Sequence, residues 1–140
     1  MFILDTNVVS ELRKAKSGKA NGCVIAWATT VFADELYLSA ITLFELELGI
    51  LQVERRDLKQ GQMLRDWLEH CVRLEFRNRI LPIDEKVALR CAGLHVPHSR
   101  SERDAWIAAT AFVHNMTVVT RNTKDFEGTG ADLLNPWIDL

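Results

Sequence analysis

Along this chain the apolar positions alternate between short unbroken runs and longer stretches at helical spacing. Met1 to Leu4 is a run that fits a buried strand, and a polar, basic stretch follows it through Gly22. From Cys23 to about Phe32, Val24, Ala28 and Val31 share a face with Trp27 and predict a helix. Leu36 to Ile41 (LYLSAI) predicts a second strand. Leu43 to Val53 carries two apolar faces, Phe44, Leu48 and Leu51 on one and Leu43, Leu46 and Ile50 on the other, and so predicts a helix buried on two sides. Leu58 to Val72, with Leu64, Trp67, Leu68 and Cys71 at helical spacing, predicts a longer helix that covers a surface or meets a partner.

The second half repeats the alternation. Ile80 to Ile83 (ILPI) is a short strand whose Pro82 suits a sheet edge. Asp84 reads as the N-cap of a helix carrying Val87, Cys91 and Leu94, which Pro97 stops. Ser101 opens the next helix, through Ala105, Ile107, Ala108, Ala111 and Phe112 to about His114, with alanines small enough for close packing on a sheet. Thr117 to Thr120 (TVVT) is the following strand, and a last short one is expected around Leu133. This order predicts an α/β fold: a central, mostly parallel sheet of four to five strands flanked by helices, with residues 1–140 as a single domain.

With 140 residues and 48% hydrophobic content, the chain suffices for one real core. No apolar run approaches the roughly 20 residues that span a bilayer, and the opening run is short and lacks a basic flank, so a cytoplasmic location is expected. Cys23, Cys71 and Cys91 are odd in number and widely spaced, which predicts buried thiols rather than disulfides or a zinc site. The net charge of −2 gives no overall attraction for nucleic acid. Arg13, Lys14, Lys16 and Lys19 nevertheless form one basic cluster, Arg55, Arg56 and Lys59 another, and Arg73, Arg77 and Arg79 a third; each is either a phosphate contact or a solvated face.

Four acids stand at element edges: Asp5, Glu45, Asp104 and Asp125. Each also fits a local role. Asp5 suits a helix cap for the turn at Asn7 to Glu11. Glu45 stands three residues after Thr42, and Asp104 three after Ser101, the spacing of a capping box. Asp125 suits a turn between Asn122 and Phe126. Ala108 and Ala111 on the face of Asp104 turn that carboxylate toward the sheet, and a buried acid needs a cation or a donor. If the strands ending near Asp5, Ile41 and Thr120 are neighbours, the acids converge. Two such charges about 4 Å apart repel by around 4 kcal/mol at an effective dielectric near 20. A hard divalent ion such as Mg²⁺ answers that repulsion while keeping several waters. The four histidines fit no two-histidine motif, and read as structural or surface residues.

Five blocks in order, DTNVVSEL, LSAITLFELELGI, RILPID, DAWIAATA and TVVTRNTKDF, resemble those of PIN-domain ribonucleases, with greatest likeness to VapC-type toxins of the FitB-like branch, whose ending resembles Asn135, Pro136 and Trp137. The resemblance covers nearly the whole chain. It implies an Mg²⁺-dependent (or Mn²⁺-dependent) endoribonuclease, the toxin of a type II toxin–antitoxin pair. Asp5, Glu45, Asp104 and Asp125 match the family acids, with Asp5 and Asp104 as the closest metal contacts and Glu45 and Asp125 acting directly or through water. Thr6, Asn7, Thr120 and Asn122 match polar positions that orient carboxylates or waters, while Glu47 and Glu102 match none and read as solvent or rim residues. Implied partners are RNA, a cognate antitoxin, operator DNA reached through that antitoxin, and a second copy of the chain. Trp67 and Trp106, with Val31, Leu64 and Leu68, are candidates for protein contacts, core packing being the competing account. The alternative function is a non-catalytic PIN-fold module acting as co-repressor with an antitoxin. Phosphotransfer through an aspartate fits less well, since Asn7 stands where a D-x-D opening needs its second acid.

Overall fold

The computed structural model describes residues 1–139. Its strands are β1 (Phe2–Leu4), β2 (Leu36–Ser39), β3 (Ile80–Leu81), β4 (Thr117–Val119) and β5 (Asp132–Leu134). They form one parallel sheet in the order β3-β2-β1-β4-β5. β1 is therefore central. Its residues Ile3 and Leu4 are fully buried, one in each of two apolar clusters, so the sheet is covered on both faces. β3 is an edge strand, as Pro82 requires.

The helices are α1 (Thr6–Arg13), α2 (Gly22–Ala28), α3 (Ala40–Arg56), α4 (Leu58–Trp67), α5 (Arg73–Glu75), α6 (Glu85–Leu94) and α7 (Glu102–Val113). The first lies within the polar, basic stretch after β1, and it bears out the reading of Asp5 as a helix cap. Val8 and Val9 are buried on α1, and the Asp5 Oδ1 caps it by accepting from the Thr6 N–H at 2.8 Å. Helical spacing over so few residues was masked by the basic residues that follow. α2 ends at Ala28 rather than Phe32, whose side chain is exposed.

α3 starts earlier than expected, because the hydroxyl of Ser39 accepts from the Ile41 N–H at 3.0 Å and caps the helix there. Thr42 is thus inside the helix and not its cap; its hydroxyl donates to the carbonyl of Leu4 at 3.4 Å. The capping-box role for Glu45 falls with it. The expected burial of both apolar faces is also corrected: Leu46 and Ile50 are buried, whereas Phe44 is 51% and Leu51 49% exposed.

Beyond α4 the chain makes a turn of π-helix, Leu68–Val72, before α5. The wider turn carries Val72 inward and leaves Cys71 exposed, against the expectation of three buried thiols. Leu68 is buried in its own chain's core, which settles it as packing. Arg79, of the third basic cluster, donates to the carbonyls of Ala33, Leu36 and Glu75. Asp84 caps α6 as predicted, accepting from the Val87 N–H at 3.0 Å. Among the described residues, no helix is long and apolar enough to cross a membrane.

Candidate active site

Parallel pairing of β1 with β4 aligns Leu4 with Val119 and sets Asp5 beside Thr120. The Asp5 N–H continues the ladder, donating to the Val119 carbonyl at 2.9 Å. Asp5 is 6% exposed, and both of its carboxylate oxygens accept hydrogen bonds. While Oδ1 caps α1, Oδ2 accepts from the buried Thr120 hydroxyl at 2.7 Å and from the Asn7 amide at 3.2 Å. Thr120 in turn accepts from the Asn122 N–H at 3.0 Å, and the Asn7 Oδ1 accepts from the Arg121 N–H at 3.2 Å. Burial pushes the Asp5 pKa upward against these donors, and the charge of Glu45 adds to the rise.

Glu45 projects from the first turns of α3, where its Oε1 accepts from the Thr6 hydroxyl at 2.7 Å. Its Oε2 lies 3.7 Å from the Arg103 guanidinium, which also sits 5.1 Å above the Phe44 ring. Asp104 is half-buried in the first turn of α7. Its carboxyl is pushed up to about 6, chiefly by burial and then by the charges of Asp5, Asp125 and Glu45, with the Ser101 hydroxyl partly offsetting them. Asp125 is exposed in the short 3₁₀ turn Thr123–Phe126, anchored by the buried Phe126. Its backbone N–H donates to the Asn122 carbonyl at 3.0 Å, so the turn role suggested by its position accompanies its influence on Asp104.

The four acids thus face one region with unequal engagement. Asp5 and Glu45 are held by hydrogen bonds, Asp104 is crowded by like charge, and Asp125 is open. Among the described residues, no three Asp, Glu, His or Cys side chains are grouped closely enough to hold an ion by themselves. A cation with few protein ligands and several waters suits such a donor set. Of the four supporting polar residues, Thr6, Asn7 and Thr120 contact an acid through their side chains, while Asn122 contributes its backbone N–H to Thr120.

Beside the acids opens a cleft of about 710 Å³ lined by Ile41, Phe44, Glu45, Ser101, Glu102, Arg103, Asp104 and Trp106. Phe44 and Arg103 were absent from the site expected from sequence. Their only signal was adjacency, each standing immediately before an acid. Glu47, 42% exposed at its side chain, lies outside this cleft and meets Arg65 at 2.6 Å.

A model of the PIN domain matches residues 2–131. The chain belongs to the PIN-domain family. This PIN chain is 38% identical over 142 residues to VapC ribonuclease Y4jK of Sinorhizobium fredii, covering 98% of both. It is also 38% identical to the toxin FitB of Neisseria gonorrhoeae, covering 99% of this chain and 100% of the relative. The crystal structure of FitAcB from Neisseria gonorrhoeae superposes with a TM-score of 0.88 at 36% identity, over 99% of each chain. The PIN architecture, with its parallel sheet and flanking helices, is thereby shared along the whole length and not only at the acidic blocks.

Proposed function

We propose that this PIN chain is a metal-dependent endoribonuclease and the toxin of a type II toxin–antitoxin pair. The observation that carries the reading is the placement of Asp5 and Glu45 by Thr120 and Thr6 beside a cleft that Glu45 and Asp104 line together, and the upward shift of Asp104 to about 6 by burial and the other three carboxylates agrees with it. A fold that keeps four acids facing one region leaves electrostatic cost in place for a cation to relieve. Relatives named as a VapC ribonuclease and as toxin FitB support the reading of that site as a nuclease toxin.

Asp5 and Asp104 would contact Mg²⁺ (or Mn²⁺) directly, with Glu45 and Asp125 acting directly or through water. The ion would supply Lewis acidity and a water of lowered pKa for attack on a phosphodiester. The chain's own residues prepare for it. Thr120 and Asn7 fix the orientation of Asp5, and Thr6 ties Glu45 to the start of α1. Such fixed partners keep acceptor lone pairs aimed at one place. In the cell the enzyme would act in the cytoplasm, be silenced by a cognate antitoxin, reach operator DNA through that antitoxin, and pair with a second copy of itself.

Purified protein is incubated with structured RNAs in Mg²⁺, with chelator, and as Asp5→Asn or Asp104→Asn. Cleavage is expected only with the ion, falling at least about a hundredfold in either variant. Cleavage that survives chelation or either substitution overturns the reading.

A further inference from the structure

Phe44 is half exposed on a helix whose other face, Leu46 and Ile50, is core. The group recorded over its ring is the Arg103 guanidinium, itself half exposed. Arg103 is the one cation among the described residues that line the cleft, whose lining also holds the carboxylates of Glu45, Glu102 and Asp104. A polyanion brought to three carboxylates is repelled unless a fixed positive charge meets it. Arg103 holds Glu45 through a single 3.7 Å approach, a weak exposed pair that exchanges readily. A guanidinium engages phosphate oxygens in a fork, and an open aromatic ring gives an unpaired base a face on which to stack. Bases inside a duplex offer no free face.

We propose that Phe44 and Arg103 form a subsite for one nucleotide of single-stranded RNA next to the scissile bond. Phe44 stacks the base, and Arg103 leaves Glu45 to take the adjoining phosphate. The subsite rests on the nuclease reading above and adds to it a preference for unpaired substrate, built into the cleft wall.

The test uses the full chain carrying Asp104→Asn, so that RNA binds without being cut, and a short fluorescent single-stranded RNA of mixed sequence. Affinity is read by anisotropy over a salt series in Mg²⁺. Phe44→Ala is expected to weaken binding about tenfold without changing the salt slope, while Phe44→Trp retains it. Arg103→Ala is expected to lower the slope of log affinity against log salt by about 0.7, the loss of one single-strand phosphate contact, and Arg103→Lys to keep it. With Asp104 intact, both alanine variants raise KM more than they lower kcat. Unchanged affinity, slope and KM in a protein that still cleaves RNA overturn the subsite alone. Absence of any RNA cleavage by the wild-type chain removes the nuclease reading and the subsite together. A change in sedimenting mass for Phe44→Ala with RNA affinity intact assigns the ring to a protein contact and also overturns the subsite.

Discussion

Asp104 and Thr120 carry the sharpest consequences at the level of single residues. Folding raises the Asp104 pKa from 3.8 to about 6. Below the lower value the group is protonated in both states, and its favourable contribution is complete. Between the two, the folded chain takes up a proton that the unfolded chain lacks; above the upper one, folding must hold a carboxylate against burial and its neighbours. Metal-free wild type is therefore expected to lose stability relative to Asp104→Asn as pH rises from about 4 to about 6. At pH 7 the variant should be the more stable by on the order of 1–2 kcal/mol, read by urea titration in chelator. Thr120 is wholly buried and serves Asp5 as donor and Asn122 as acceptor. Thr120→Val strips these bonds and a longer one accepted from the Asn7 amide at 3.4 Å, and is expected to cost about 1–3 kcal/mol of stability. Activity should fall about 10–100-fold, with Thr120→Ser restoring much of it in the same cleavage assay.

Helices α3 and α4 show what elements add that residues do not. Asp57 closes the first helix and caps the second, its Oδ1 accepting from the Gln60 N–H at 3.0 Å. Arg65 then clasps Glu47 at 2.6 Å and Glu54 at 3.0 Å. Their approach depends on Gly61, where a Cβ would lie 2.6 Å from the Glu54 Cγ and 2.8 Å from its Cα. Gly61→Ala is expected to lower stability by about 1–3 kcal/mol in urea titration, since backbone must move to admit the methyl. None of this is visible in spacing alone. The strands were legible because unbroken runs such as FIL and TVV mark a sheet buried on both faces. Helix α1 was not, since Val8 and Val9 give too few apolar turns beside so many charges. The π-turn escaped for a related reason: Leu68, Cys71 and Val72 fit a regular helix equally well until the extra residue is placed. At the site, the acids stood out as motif residues and Thr120 as their neighbour. Phe44 instead passed as core, because a half-covered ring and a buried one look alike in sequence.

Across the whole molecule, the central position of β1 ties the site to the core. Strand order puts β1 between β2 and β4, so Asp5, Glu45 and Thr120 all follow from adjacent strand ends. Asp104 and Asp125 approach from the helix before β4 and the turn after it. The Asp5 carboxylate and the Thr120 hydroxyl that fixes it are 115 residues apart. That separation has a meaning in time. During translation Asp5 is made 115 residues ahead of Thr120, with no β4 to lie against and no hydroxyl to orient it. Stalled nascent chains ending before Thr117 are expected to leave RNA uncut, whereas released full-length chains cut it, as a gel of the two reactions would show. The Asp5 carboxylate thus takes its fixed orientation only once Thr120 has been made and β4 has paired with β1.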